Sequence, residues 1–156
     1  VSIDEIKGAL CKYFNDCERF SVQFIKSPTN SPAPVGCYVA VGIDSVEQYG
    51  RKLSPPPGKG KFLFSQVAMV HFVEVEGDGD ILRKARNELE LPQFTEFARE
   101  RGVTIWQPTA INAIDTYDGK FFIRQWRFSF QVNFTDEIAV ERPRIETVKP
   151  LILQSN

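Results

Sequence analysis

From Phe122 to Phe134 the chain alternates with a period of two. Arg124, Trp126, Phe128, Phe130, Val132 and Phe134 interleave with Gln125, Arg127, Ser129, Gln131 and Asn133. Successive side chains of a β-strand point to opposite faces, so this segment has one aromatic face and one face of amide, hydroxyl and guanidinium groups. A 3.6-residue period would scatter the aromatics around a cylinder, which rules out a helix here. Such a strand belongs in a sheet with a packed back. Its front meets water or another protein, and that front is where function is to be sought.

A chain of 156 residues fits one domain of ordinary size and is long enough to bury a core without metal or disulfide staples. Its 13 Phe, 4 Tyr and 2 Trp supply that core. The 19 basic residues nearly cancel the 20 acidic ones, so there is no global attraction to nucleic acid or to a membrane surface. Cys11, Cys17 and Cys37 form no C-x-x-C pair and the chain has a single His. That pattern argues against a zinc site or a disulfide framework, and suggests a reducing, cytosolic setting. No apolar run approaches the length of a membrane span and no signal-peptide pattern opens the chain, so a soluble protein is expected. The Val1 start suggests a removed initiator Met or trimming.

Ser2-Ile3-Asp4-Glu5 is a capping-box pattern, and Ile3, Ile6, Leu10, Tyr13 and Phe14 continue it at helical spacing, predicting a helix over 3–15. Strands are predicted at Phe20–Ile25 and Tyr38–Ile43, then a long surface loop from Asp44 to Gly60 that contains Pro55-Pro56-Pro57-Gly58. Phe62–Glu76 is apolar on both faces and is placed centrally in the sheet. A second helix follows Gly77-Asp78-Gly79-Asp80, with Asp78 or Asp80 capping its N–H groups, Pro92 kinking or splitting it, and Gly102 stopping it. A short strand at Val103–Trp106, an irregular link at Gln107–Gly119, the alternating strand and a final strand pairing back over Ala139–Val148 complete the chain. The expected architecture is a single α+β domain over residues 1–156, a mostly antiparallel sheet packed against two main helices.

The catalytic candidates are weak. Gly58-Lys59-Gly60-Lys61 lacks the P-loop spacing and is followed by a strand, with Phe62 where a Ser or Thr would hold magnesium. Gly77-Asp78-Gly79-Asp80 runs into Ile81 and Leu82 and so lacks calcium-loop ligands. His71, between Val70 and Phe72, reads as a hydrogen-bonded core residue; a Ser-His-Asp set has no nucleophile motif to support it. Glu88, Glu90, Glu96 and Glu100 lie among Arg86, Arg99 and Arg101 and read as a solvated helix face. No enzyme, cofactor or metal is expected. Contact residues are expected in the long loop and its basic end (Tyr49, Arg51, Lys52, Lys59, Lys61), on the polar side of the alternating strand (Gln125, Arg127, Gln131), and at Glu146 in the strand-like Ile145-Glu146-Thr147-Val148. Leu151-Ile152-Leu153 is apolar, and either docks on its own domain or is covered by a partner.

From about Lys61 to Pro150 the order of features resembles phage neck and tail terminator proteins, the group that includes the lambda-type tail terminator. A long strand leads to an acidic glycine turn and a helix with Ala85 and Leu89. Then follow Gly102-Val103, a variable link, Arg124-Gln125-Trp126-Arg127-Phe128-Ser129-Phe130 and the Ile-Glu-Thr-Val ending. The resemblance implies a non-enzymatic structural virion protein of the phage neck or tail, assembled in the host cytoplasm. Six copies would form a hexameric ring that caps the tail tube and receives the head-tail connector, with the sheath on its outside in a contractile tail. DNA would pass through the lumen without sequence-specific binding. The alternative is a head-completion protein or another tail adaptor or binding module that forms no ring, and after it an enzyme with an unrecognised site.

Overall fold

The structure, a computed structural model, describes residues 1–28, 32–50, 58–117 and 119–142. Helix α1 spans Ile3–Asp16, opened by the expected capping box in which the Ser2 hydroxyl accepts the Glu5 N–H and the Glu5 carboxylate accepts the Ser2 N–H, each at 3.1 Å. Strands β1 (Gln23–Lys26), β2 (Tyr38–Gln48) and β3 (Gly58–Val75) follow. Pro92 splits the next helical region into α2 (Asp80–Glu88) and α3 (Pro92–Glu100), sitting in the first turn of α3, where its missing N–H is harmless. The Val103 N–H returns to the Ala98 carbonyl at 3.0 Å and closes α3 around Gly102. Strands β4 (Thr104–Trp106), β5 (Asn112–Tyr117) and β6 (Phe122–Arg142) end the described chain.

The sheet order is β1-β2-β3-β6-β4, with β5 also on β6; all pairings are antiparallel except β1 with β2. The fold is therefore α+β, with β3 at the centre as its two apolar faces require. Phe72 of β3 meets Phe14 edge-on at 5.3 Å and packs against Phe128 and Phe130 at 5.4 and 5.2 Å, while Phe14 stacks on Phe24 at 4.7 Å. Leu82, Ala85, Leu89, Phe94 and Ala98 bring α2 and α3 onto the same face. Phe128, Phe130, Val132 and Phe134 are buried there, so the aromatic side of the alternating strand is core.

Three expectations are corrected. The 44–60 loop is shorter: β2 continues to Gln48 through a register shift between Ile43 and Ser45, which absorbs Asp44 as an extra residue, and β3 already starts at Gly58. The 107–119 link contains β5, whose exposed Asn112 and Asp115 carry little strand preference and are held by the ladder to β6. No strand pairs back from Ala139; β6 runs straight through to Arg142, opposite Gly58. Residues 143–148 of that expected strand lie outside the described residues.

Lengths decide what the helices can cover. The 21 residues of β6 extend roughly 70 Å, whereas the 14 residues of α1 extend about 21 Å. The helices cover the middle of β6. Beyond Phe134 the pairing of Gly58–Gln66 with Phe134–Arg142 projects as a ribbon on which, among the described residues, no third strand is laddered before Gln66 meets Gln48.

Candidate functional site

No described helix packs on the outer face of the sheet. Gln125, Arg127, Ser129, Gln131 and Asn133 of β6 lie there beside Val67, Met69, His71 and Val73 of β3, all half-buried. The face is thus an apolar rib flanked by polar strands, a composition that suits a contact surface better than open water. Gln125, Arg127 and Gln131 are brought together on it as expected. Lys61 lies farther out along the ribbon and pairs with Glu137 at 3.4 Å. Tyr49 follows β2, half-exposed, and donates its N–H to the Ser65 carbonyl at 3.0 Å. Lys59 falls within the backbone of β3, while Arg51, Lys52, Glu146 and Leu151-Ile152-Leu153 lie outside the described residues.

The strongest polar constellation on this face was missed by the sequence reading. Arg127 donates through Nη2 to Asp44 Oδ2 at 2.5 Å, reaching across β3, and Asp44 Oδ1 lies 2.9 Å from His71 Nδ1 without the alignment of a hydrogen bond. His71 is therefore not the core histidine expected; it lies half-buried on the outer face, paired with Asp44. A Cβ at Gly42 would sit 2.5 Å from His71 Nε2, so the imidazole rests on Gly42 and only glycine leaves room for it. That tilt carries Nε2 toward β2, away from Ser129, the partner of His71 on the β6 side. Burial lowers the His71 pKa and nearby Arg127 adds to this, against the pull of Asp44. The extra residue at the β2 register shift is the one signal that could have found Asp44, and it is invisible without the pairing.

Two buried carboxylates face the helices. Glu74, fully buried, accepts the Gly79 and Leu82 N–H groups at 2.6 and 3.0 Å, while Asp78 accepts the Asp80 N–H at 3.1 Å. Asp78 is the expected cap; Glu74 is an additional one, and a Cβ at Gly77 would lie 1.9 Å from its Oε2. Glu88 corrects the solvated-face reading: it is 2% exposed. Its Oε1 accepts from Tyr13 Oη at 2.6 Å and from Arg19 Nη2, and its Oε2 accepts from Arg19 Nε at 2.9 Å. Burial opposes the ionised Glu88, but Arg19 and Tyr13 outweigh it and hold the pKa below its usual value. Both carboxylates are tied into helix ends and helix contacts.

Apolar side chains are exposed at both ends of β6. At one end Phe122 is 77% exposed and stacks obliquely with Tyr117 at 5.1 Å; at the other Ile138 is 51% exposed, with Val140 beside it in the same alternation. Phe122, Ile138 and Val140 share parity with Phe128 and Phe134 and so extend the core face past the helices. A cleft of about 290 Å³ also opens on the helix side, between α1 and α3, lined by Ile6, Ala9, Phe97, Val103, Ile105 and Val132.

Among the described residues no group of three or more His, Cys, Asp or Glu is arranged to hold a metal ion, and no helix is long and apolar enough to cross a membrane. The cysteines are free thiols, and burial pushes that of Cys11 up to about 11. No protein-family model matches the chain, and no curated protein matches it.

Proposed function

We propose that this protein is a structural virion subunit of the neck or tail terminator kind, which closes into a ring on the end of a tail tube and joins it to the head connector. The observation that carries this reading is the pair of exposed apolar ends on β6. Phe122 and Ile138 lie on one face of one strand, 16 residues apart, which is roughly 53 Å. Two different sticky patches on one molecule favour head-to-tail contacts, and such contacts build a ring when their rotation closes. A two-stranded ribbon is marginal in water alone, so the ribbon beyond Phe134 gains from a neighbour that covers or extends it. A balanced charge suits protein partners over bulk DNA.

The test is light scattering and negative-stain imaging of the purified chain, alone and mixed with tail tubes. Rings, or caps on tube ends, are expected. Ile138→Asp should reduce assembly at least tenfold while leaving the melting temperature within a few degrees. Gln131→Glu, on the outer face, should weaken assembly only if that face also meets a neighbour. A chain that stays monomeric at high concentration and ignores tubes would overturn the ring and favour a free-standing adaptor.

A further inference from the structure

We infer that the aromatic tip of the β5–β6 hairpin, Tyr117 and Phe122, docks in the α1–α3 cleft of a second copy of this chain; the inference rests on the reading above of a self-assembling subunit. The tip is a preformed apolar knob. Tyr117 and Phe122 are register partners at the end of the β5–β6 ladder, 60% and 77% exposed, with ring centres 5.1 Å apart. Two rings held together in water gain by moving into an apolar site. The cleft is a hole of matching size. Its approximately 290 Å³, walled by Ile6, Ala9, Phe97 and Ile105, is about twice the volume of an engineered apolar cavity that takes up one benzene. It has room for both rings.

Charge selects this occupant. Next to the tip, on the same face of the hairpin, Asp115 and Arg124 form an exposed ion pair at 2.9 Å. The cleft is lined by an exposed acid and an exposed base, Glu5 of α1 and Arg101 at the end of α3. Arg101 lies 4.0 Å from the Phe97 ring centre and, among the described residues, is in no ion pair. Glu5 commits Oε2 to the Ser2 N–H. Docking that sets Arg124 against Glu5 and Asp115 against Arg101 is favoured, and the reverse orientation opposes like charges, so the two sets fix the register. Exchanging an exposed ion pair for new partners costs little. The strand itself excludes the same copy. Phe122 and Val132, which lines the cleft, are ten residues apart on β6, roughly 33 Å. Pairing of residues 125–132 with 68–75 holds that stretch extended. The tip therefore meets a neighbour's cleft, a contact that is heterologous, as a ring demands.

The experiment puts a benzophenone photo-cross-linking side chain in place of Phe122 in the full chain. This chain is mixed with isotope-labelled parent chain, so that mass spectrometry tells links between copies from links within one. Links from the tip to Ile6, Ala9, Phe97 or Ile105 of a second copy are expected. In light scattering, Phe122→Asp and Ala9→Trp, which fills the cleft, should each weaken assembly about tenfold or more, as for loss of a buried aromatic anchor. A mixture of these two variants should recover pairs, because one supplies an intact cleft and the other an intact tip. The cross-link and Phe122→Asp do not depend on how well Ala9→Trp folds. Assembly undiminished in Phe122→Asp, or links from the tip to other surfaces instead, overturns the inference while leaving the ring intact. Pairs and nothing larger, with the expected links, uphold the tip–cleft contact and overturn the ring. A full chain that is monomeric at high concentration overturns both.

Discussion

The carboxylate of Glu74, at a position with no solvent exposure on β3, accepts the backbone N–H of Leu82 at 3.0 Å in the first turn of α2. One strand residue thereby fixes where the following helix begins. The N-cap position itself, Gly79, has no side chain to do so. Glu74 also satisfies Gly79, so two N–H groups at the start of the helix depend on it.

Glu74→Ala should therefore destabilise the fold by about 2–4 kcal/mol, because it strands two buried donors. Glu74→Gln retains one acceptor oxygen and should lose less. Urea denaturation of both variants checks the order, and equal stability of Glu74→Ala and the parent chain would mean that the cap contributes nothing.

The Tyr13–Glu88–Arg19 group ties α1 to α2 and makes a pH-dependent contribution. The Glu88 pKa in the folded state lies below the ordinary 4.5. Its stabilisation is thus fully present above pH 4.5 and is lost as the pH falls through the folded-state value. Tyr13→Phe should cost about 1.5 kcal/mol at neutral pH, as for a hydrogen bond to a charged group. Glu88→Gln should flatten the acid limb of the stability profile. An acid limb identical to that of the parent would assign the acid sensitivity to other carboxylates.

His71 acts in the opposite pH direction. Burial lowers its folded-state pKa below the ordinary 6.5, with Arg127 assisting and Asp44 opposing. The unfolded chain then takes up the proton first, so stability declines as the pH falls from 6.5 to the folded-state value and is level outside that window. His71→Asn should remove this decline, measured as the urea midpoint at about pH 5 to 8. Asp44→Asn removes the group that favours the charged imidazole and should steepen it. A decline that persists in His71→Asn would locate its source elsewhere.

Local pattern gave the elements that local physics controls. The capping box at Ser2 and Glu5, the break at Pro92, the central position of β3 and the core side of β6 all follow from nearest-neighbour chemistry or from side-chain period. These features are set within a few residues. Strand ends were not legible, because Asp44, Ser45, Glu47 and Gln48 of β2 and Asn112, Ala113 and Asp115 of β5 carry little strand preference and these stretches are completed by bonds to another strand. The burial of Glu88 was illegible for a related reason: the partners that permit a buried carboxylate, Tyr13 and Arg19, lie 75 and 69 residues away.

By itself, then, the sequence determined that Phe128, Phe130, Val132 and Phe134 turn inward and Gln125, Arg127 and Gln131 turn outward, since a strand's period of two leaves no other arrangement. Only the tertiary structure decided that β6 outruns its helices. Pairing continues as long as β3 offers a partner, whereas covering stops where a 14-residue helix ends. The same long-range pairing placed Asp44 against His71 and Arg127, and left Phe122 and Ile138 exposed at opposite ends of one strand.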